Sequence, residues 1–352
     1  MRILIVRLSA IGDIIHALPA LAAIKRSLPE AQISWVAEAR SAEILRGNPL
    51  IDDLVEIDTR SLKGGKRIED ILIDVGKQAK SVRRNKYDVA IDFQGLIKSA
   101  VVTKVSAAKK RVGFDKRSMR EPAGRIFYTD TVEVPPQTHI IRRNLRLAAA
   151  ALDYQYDDSD LDFPIGTDAG HVAEATGIAS LTNGRFAILN PAGGWVTKLW
   201  HAEKFGQLAD RIFEELNITP IVVTGPNEAE LAERVRQNTR NQRTVFSEPS
   251  LKGFYELAKR ADVYVGGDTG PTHLAIAAKA PVVGIFGPTE WWRNGSLNPQ
   301  DVCVERTEIA CRIDCHRRTC SNWICMDIDV DTVFAAVKQR INAAAASGIK
   351  TA

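Results

Sequence analysis

The 352-residue sequence lacks the long apolar run that would place it in a membrane. A membrane-spanning helix needs roughly 20 apolar residues, and Asp13 and His16 interrupt the most apolar N-terminal stretch. The carboxylate of Asp13 and the lack of a small-residue cleavage site also argue against a signal peptide. We therefore expect a cytoplasmic protein.

Several familiar ligand-binding motifs are also missing. The sequence contains neither the P-loop pattern G-x-x-x-x-G-K-S/T nor a G-x-G-x-x-G after its first strand, so kinase-like and dehydrogenase functions lose support. Its basic residues are not interleaved with aromatic residues, and no known nucleic-acid module is visible. We expect no nucleic-acid partner.

The composition, with 45% hydrophobic and 26% charged residues, is that of an ordinary globular protein long enough for two domains. The net charge is only +4, but the stretch 98–125 holds nine basic and two acidic residues and contributes +7. This stretch is either a solvated surface or a patch for an anionic acceptor or a lipid headgroup surface.

Short apolar runs alternate with segments of helical periodicity, and the alternation occurs twice along the chain. Continuous apolar strands separated by helices indicate parallel sheets covered on both faces. We predict two doubly wound α/β domains, 1–165 and 166–352, facing a cleft at the carboxyl ends of their strands. A final helix, about Val330–Ala346, could pack back onto the first domain. The predicted strands are Ile3–Leu8, Ile33–Ala37, Val89–Phe93, Phe186–Asn190, Pro220–Thr224, Asp262–Val265 and Pro281–Phe286.

Asp13 follows the first predicted strand and lies near the start of the helical stretch Ile14–Ser27. It could cap the helix by accepting a backbone hydrogen bond, or it could be a general base that takes a proton from an acceptor hydroxyl. From spacing alone the cap is favoured. Pro19 predicts that the helix is kinked or starts later, because an interior proline costs about 3 kcal/mol.

Three loops of the second domain contain glycines or hydroxyl residues directly after predicted strands. Backbone N–H groups and a helix dipole at such loops form an anion site that suits a diphosphate. Each turn alone could be purely structural, but three at one sheet edge predict a nucleotide pocket. Lys198 lies just beyond the first loop and could offer a charge to the phosphates, although a solvated surface lysine is the default. The loops are Asn190–Gly194, Gly225–Glu228 and Asp268–His273.

Four of the five cysteines lie within fifteen residues: Cys311, Cys315, Cys320 and Cys325. Such density is compatible with a metal site. The spacing C-x3-C-x4-C-x4-C lacks the C-x2-C pairs of common zinc modules, and a cytoplasmic setting argues against stable disulfides. Reduced structural thiols are therefore the favoured interpretation, with a structural metal as the alternative.

Five sets of motifs recur in a fixed order along the chain: Arg2–Arg7 with Gly12 and Asp13, Asp92–Ser99, Arg120–Pro122, Lys198–Trp200, and Gly267–Gly270 with His273. Taken together, they resemble the motifs of glycosyltransferase family 9, the ADP-heptose:lipopolysaccharide heptosyltransferases. Their order and spacing are specific, and the Gln94–Lys98 segment and the Ser9–His16 stretch look more like heptosyltransferase I than II. Two glycines, Gly193 and Gly194, stand where heptosyltransferase I has hydroxyl residues.

The resemblance implies a GT-B fold, inversion at the anomeric carbon, and no required metal or other cofactor. It implies ADP-heptose as the donor and an acidic, Kdo-containing glycolipid as the acceptor, with peripheral contact at the inner membrane as a further expectation. Asp13 matches the proposed base. The implied donor-binding residues are Gly193, Gly194, Lys198, Glu228, Asp268, Thr269, Gly270 and His273. The implied acceptor-binding residues are Arg60, Lys98 and Arg120.

Two other functional classes remain open at this stage. A sugar-nucleotide epimerase or hydrolase could use the same double-Rossmann scaffold, because a fold alone does not fix the chemistry. A nucleotide-sugar binding module would need no base. A member of the family using another sugar or acceptor is a third alternative.

Overall fold

The structure is a computed structural model that describes residues 1–58, 68–159, 161–311, 315 and 317–346, with the backbone alone for 68–75. The chain divides into two compact units, Met1–Gly166 and Thr167–Ala352. The division falls one residue after the boundary predicted from the sequence. Arg60 lies outside the described residues.

The first unit is a parallel sheet with helices between its strands. Its strands are β1 (Arg2–Val6), β2 (Gln32–Glu38), β3 (Asp53–Ile57), β4 (Val89–Asp92), β5 (Lys110–Phe114) and β6 (Asp130–Val132). Its helices are α1 (Ile11–Ile15), α2 (Leu18–Ser27), α3 (Ile68–Arg83), α4 (Ile97–Val105) and α5 (Ile140–Leu152), with 3-10 helices at Ala39–Leu45 and Pro122–Phe127.

The strand order of this sheet is β3-β2-β1-β4-β5-β6, and every pairing is parallel. That is the order of a doubly wound Rossmann sheet, in which ligands bind beyond the carboxyl ends of the central strands. The central strand β1 is fully buried from Ile3 to Val6, as expected when helices cover both faces. Pro19 occupies the first turn of α2, so the helix starts later, where a proline is tolerated.

The second unit repeats the plan of the first. Its strands are β7 (Phe186–Asn190), β8 (Thr219–Val223), β9 (Val245–Ser247), β10 (Val263–Gly267), β11 (Val282–Phe286) and β12 (Val302–Glu305). Its helices are α6 (Ala169–Ala179), α7 (Ala202–Leu216), α8 (Ala229–Gln237), α9 (Leu251–Ala258), α10 (Gly270–Ala277), α11 (Trp291–Asn294) and α12 (Val330–Ala346), with 3-10 helices at Val196–Lys198 and Ile324–Met326.

The second sheet is also parallel throughout, in the order β12-β11-β10-β7-β8-β9. The predicted pair of doubly wound α/β sheets is therefore confirmed. Helix α12 has the predicted bounds, and its Val333, Phe334 and Val337 are buried in the core of this unit with strands β10 and β11. The expectation that it returns to the first domain stays a prediction.

In the part of the chain that the structure describes, no helix is long and apolar enough to cross a membrane.

Candidate active site

Asp13 is the third residue of α1, in the loop-to-helix turn that follows β1. Its Oδ2 accepts a hydrogen bond from the N–H of Ala10 at 3.2 Å, and its Oδ1 lies 2.7 Å from Nη2 of Arg7. The carboxylate therefore does close the helix start, although from inside the helix and not from the N-cap position. Its side chain is still 46% exposed, so the carboxylate remains accessible to an acceptor hydroxyl.

Arg7 anchors this carboxylate from the buried side. The Arg7 side chain is only 6% exposed, and its Nη1 donates to the carbonyl of Phe93 at 2.5 Å. The loop after β4 is thus tied to the loop after β1, and Gln94 adds a second link by accepting from the N–H of Leu8 at 2.8 Å. Sequence reasoning missed Arg7 as a site residue, although a cation directly after an apolar strand was a readable signal.

Buried Asp92 shapes the loop that carries Gln94 and Lys98. It accepts hydrogen bonds from the N–H groups of Gln94 and Gly95 and from the hydroxyl of Tyr128, the last at 2.7 Å. Burial raises the pKa of the Asp92 carboxyl and outweighs these hydrogen bonds, which lower it. Burial and the neighbouring Asp92 also raise the pKa of Tyr128. The positive φ of Gly95, 69°, lets the chain turn into α4.

Lys98 lies in the first turn of α4 and points at the Asp13 loop. Its Nζ is 2.7 Å from Oε1 of Glu38 and 3.5 Å from Oγ of Ser9. Glu38 is 3% exposed and also pairs with Arg40. The structure therefore brings Lys98 to the loop of Asp13, but in an ion pair that the sequence did not predict.

Arg120 is exposed and precedes Glu121, whose carboxylate accepts from the N–H of Ile97 at 2.7 Å. This hydrogen bond fixes the segment of Arg120 against the start of α4, close to Lys98 in the fold. The third predicted acceptor residue, Arg60, is outside the described residues, so its role stays a prediction.

In the second unit Lys198, Asp268 and His273 form one buried cluster at the end of β10. Lys198 Nζ donates to Asp268 at 2.6 Å (Oδ2) and 3.2 Å (backbone carbonyl). Nε2 of His273 lies 3.2 Å from the other carboxylate oxygen. Lys198 is 13% exposed and Asp268 is 5% exposed, so the solvated surface lysine considered from the sequence is wrong.

The Asp268 carboxylate is stabilised in its charged form in spite of its burial. Burial acts to raise its pKa, but the hydrogen bond from His273 and the neighbouring charge of Lys198 outweigh that effect and hold the pKa of Asp268 well below its usual range. An ammonium has three N–H donors, and Asp268 accepts two of them. Within the described residues, one donor of Lys198 is left for a ligand.

The start of α10 lies directly beside this cluster. Thr269 is its N-cap residue, makes no side-chain cap hydrogen bond within the described residues, and leads into Gly270 and Pro271 of the first turn. Such a helix start offers backbone N–H groups and a positive dipole end to an anion. A Cβ on Gly267 would lie 3.1 Å from the carbonyl of Lys198, so glycine lets the lysine loop approach the strand.

The two other predicted loops flank the cluster, since β10 pairs with β7, and β7 pairs with β8. A Cβ on Gly193 would meet the Leu199 side chain at 2.9 Å, whereas Gly194 has open space. Glu228 accepts from the N–H of Gly225 at 2.6 Å and so holds the turn after β8. The structure therefore gives Glu228 a turn-stabilising role, and its contact with the donor stays a prediction.

Arg318 is a second cation at this site that sequence reasoning missed. Its guanidinium lies 5.2 Å from the ring centroid of Trp195, and Lys198 Nζ lies 4.3 Å from the same centroid. Two hydrogen bonds that involve Thr197 hold the segment of Arg318. The Thr197 hydroxyl donates to the backbone carbonyl of Arg317, and Nε1 of Trp323 donates to the backbone carbonyl of Thr197. Only the fold brings residues about 120 positions apart into contact.

Cys311, Cys315, Cys320 and Cys325 line one cavity of about 20 Å³ together with Thr197 and Gly287. Burial and the three neighbouring thiols raise the pKa of Cys325. Among the described side chains, no three His, Cys, Asp or Glu residues are placed to hold a metal ion. The choice between reduced structural thiols and a structural metal stays a prediction.

Comparison with known proteins places these residues in context. The model of glycosyltransferase family 9 (heptosyltransferase) matches residues 75–323. Lipopolysaccharide heptosyltransferase 1 of Pseudomonas aeruginosa is 32% identical over 324 residues, which cover 91% of this chain and 88% of that protein.

Solved structures are similar to the whole chain. The structure described as Escherichia coli heptosyltransferase WaaC with ADP has a TM-score of 0.78 at 24% identity, covering 97% of this chain and 100% of that one. The same enzyme with ADP-2-deoxy-2-fluoro heptose has a TM-score of 0.75, covering 97% and 99% of the two chains. This likeness confirms the expected GT-B fold.

Proposed function

The chain belongs to glycosyltransferase family 9, the heptosyltransferases, and we propose that it transfers a heptose from ADP-heptose to an acidic, Kdo-containing acceptor of the lipopolysaccharide inner core. The family makes the protein a transferase enzyme. The epimerase, hydrolase and binding-module alternatives are not favoured, because curated relatives that match 82–91% of the chain are heptosyltransferases.

The observation that carries this proposal is the buried cluster of Lys198, Asp268 and His273 at the start of α10. A departing nucleoside diphosphate develops negative charge, and preorganised cations and N–H groups stabilise it best in a site that excludes water. Asp268 neutralises much of the Lys198 charge at 2.6 Å. We therefore assign Arg318 as an additional cation for the diphosphate.

In the first unit Asp13 is the general base of this proposal. It takes the proton of the acceptor hydroxyl as that oxygen attacks the anomeric carbon, while the bond from this carbon to the diphosphate oxygen breaks on the opposite side. The product is an inverted glycoside, and ADP leaves. Arg7 holds the carboxylate in place at 2.7 Å, and Lys98 and Arg120 attract the acidic acceptor.

The proposed chemistry requires no metal ion. Lys198, Arg318 and the α10 N-terminus supply the positive charge that a divalent cation provides to the diphosphate in many other transferases. We also propose that the enzyme works in the cytoplasm, at the inner face of the membrane that holds the acceptor.

The test is to incubate the enzyme, with EDTA present, with ADP-heptose alone, with a Kdo–lipid A acceptor alone, and with both. We expect ADP and a heptosylated lipid only when both substrates are present. Release of ADP without acceptor would indicate a hydrolase, and an isomerised sugar nucleotide would indicate an epimerase. Thermal-shift measurements with ADP-, UDP-, GDP- and CMP-sugars should show the largest stabilisation with the ADP-sugar.

A further inference from the structure

Helix α4 exposes apolar side chains on the face where a surface helix normally has polar ones. Its exposed positions are Ile97, Val101 and Lys104, which recur at the i, i+4 and i+7 spacing of one helical stripe. Ile97 is 43% exposed and Val101 is 40% exposed. Two of the three outward positions are therefore large and apolar.

The 3-10 helix Pro122–Phe127 extends this apolar stripe. It packs against α4 through Gly124, where a Cβ would lie 3.2 Å from that of Ala100. On its outer side Pro122 and Ala123 are exposed, and Ile126 is 77% exposed. Among the described residues, this is the most exposed large apolar side chain.

Exposed basic residues lie in the same segments of the chain as these apolar side chains. Lys104 and Arg120 are exposed, as are Lys116 and Arg117 in the preceding loop. They belong to the 98–125 stretch that contributes +7 to the net charge. Exposed apolar side chains next to cations have the chemistry that binds an anionic membrane surface. The apolar side chains insert among the acyl chains, and the phosphate headgroups attract the lysines and arginines.

We propose that Ile97, Val101 and Ile126, with the exposed lysines and arginines of the same segments, form a docking surface for an anionic lipid membrane. The surface includes both α4, whose first turn carries Lys98, and the segment of Arg120. Docking there would bring the acceptor-binding residues to the headgroup layer, where a lipid-linked saccharide is presented. This last step rests on the proposed acceptor, whereas the binding of lipid itself does not.

The test is sedimentation of the full chain with vesicles of phosphatidylethanolamine and phosphatidylglycerol, or of phosphatidylcholine alone. We expect binding to the anionic vesicles that weakens with added salt, and little binding to the neutral ones. The variant Val101→Ser/Ile126→Ser should bind about tenfold more weakly, because it loses two inserted apolar groups. Leu181→Ser is the matched control, since Leu181 is 65% exposed in the second unit and should bind as wild type.

Activity assays separate this surface from the proposed transfer reaction. With a deacylated, water-soluble acceptor the double variant should turn over like wild type, whereas with an acceptor embedded in vesicles its rate should fall. Equal vesicle binding by variant and wild type, or equal binding to both lipid compositions, would overturn the docking surface. An equal loss of rate on the soluble acceptor would also overturn it, because the residues would then act on the saccharide.

Discussion

Each unit has an aspartate at the end of a central strand and near the start of the next helix, but the two carboxylates have very different surroundings. Asp13 follows β1, is 46% exposed and touches one buried arginine. Asp268 follows β10, is 5% exposed, and is held by Lys198 on one oxygen and His273 on the other. The same residue type, beyond a central strand of each sheet, is therefore open in one unit and enclosed in the other.

This difference separates a group that can react from a group that organises a site. A general base must reach its proton within hydrogen-bond distance, and only Asp13 has an accessible oxygen. Asp268 is surrounded by donors, so its role is to fix Lys198 and His273 beside the α10 N-terminus. If the comparison is right, removal of the charge at Asp13 should affect rate, whereas removal of the charge at Asp268 should affect stability and donor binding.

The largest effect is expected for Asp13→Asn. Asparagine has one acceptor oxygen, so it keeps the contact with Ala10 or the contact with Arg7 but not both. It cannot take a proton, so kcat should fall by a factor on the order of 10² to 10⁴ while the affinity for ADP holds. Since Arg7 loses an anionic partner, a modest drop in melting temperature is also expected. Steady-state kinetics, ADP titration and thermal melting measure these three effects.

Asp52→Asn is the matched control for Asp13→Asn. Asp52 is 49% exposed and pairs with Lys25, but it lies at the amino end of β3, opposite the strand ends that carry the site. Its variant should keep the wild-type kcat. An Asp13→Asn enzyme that turns over within a few-fold of wild type would exclude Asp13 as the base.

The next effect is expected for Asp268→Asn, and it is mainly one of stability. Removing one partner of a buried ion pair costs about 3–5 kcal/mol, so the free energy of unfolding should fall by that order at neutral pH. Because the folded pKa of Asp268 lies below its unfolded value, its contribution is present above about pH 3.9 and is lost as pH falls through the folded pKa. The stability gap between variant and wild type should therefore narrow in acid.

Asp262→Asn is the control for the stability loss of Asp268→Asn. Asp262 directly precedes β10 at its other end, and its partner Arg185 is 54% exposed, so the arginine can regain water when the pair is broken. We expect a smaller loss of stability in denaturant unfolding. Equal losses in the free energy of unfolding for Asp262→Asn and Asp268→Asn would show that enclosure does not make Asp268 more important for stability.

Much of the fold could be predicted from the sequence, but the contacts that enclose Asp268 and leave Asp13 open could not. Strands such as Phe186–Asn190 and the helix Val330–Ala346 were predicted with the observed bounds, because their apolar periodicity is strong. The charged strands β3 and β5 were missed, because pairing with buried neighbours stabilises them more than their own composition does. Helix α10 starts at Gly270, within the predicted loop Asp268–His273, with Pro271 in its first turn.

The two anchoring contacts were harder to predict. Lys198 and Asp268 are 70 positions apart, and no local pattern indicates that they pair. Their loops follow neighbouring strands of one sheet, so the topology brings them together after the fold is known. Glu38 and Lys98 are a similar case, with 60 positions between them. Sequence motifs thus predicted the site residues, whereas the fold determined which of them are enclosed.

Lys198→Ala should raise the KM for the donor and lower kcat, with an overall loss of roughly tenfold to a hundredfold for a charged hydrogen bond of about 1.5–3 kcal/mol. Part of this loss comes from leaving Asp268 buried without its cation. The double variant Lys198→Ala/Asp268→Asn should recover stability relative to Lys198→Ala but not donor affinity. Unchanged donor kinetics in Lys198→Ala would remove this lysine from the diphosphate site.

Arg318→Ala should weaken donor binding by up to about fivefold, because an exposed ion pair contributes about 0.2–1 kcal/mol. The KM for ADP-heptose should rise at low salt, with kcat less affected. Arg317→Ala is the matched control: Arg317 is also exposed, but its link to Thr197 uses the backbone carbonyl, which the substitution keeps. Equal effects of both variants would indicate a general charge effect and not a contact by Arg318.

The smallest effect is expected for Arg120→Ala, which should act on the acceptor and not on the donor. Arg120 is exposed, so its attraction to an acidic saccharide is screened by salt, with a Debye length of about 10 Å at 0.1 M. The KM for a water-soluble acceptor should rise about two- to threefold at low salt and approach the wild-type value at high salt, while the affinity for ADP stays constant. Lys116→Ala removes another exposed charge from the same stretch and should have less effect. If Lys116→Ala raised the acceptor KM as much as Arg120→Ala, the acceptor would be attracted by the charge of the whole basic stretch and not by a contact with Arg120. If Arg120→Ala lowered the affinity for ADP instead, the assignment of the acceptor to the first unit would be wrong.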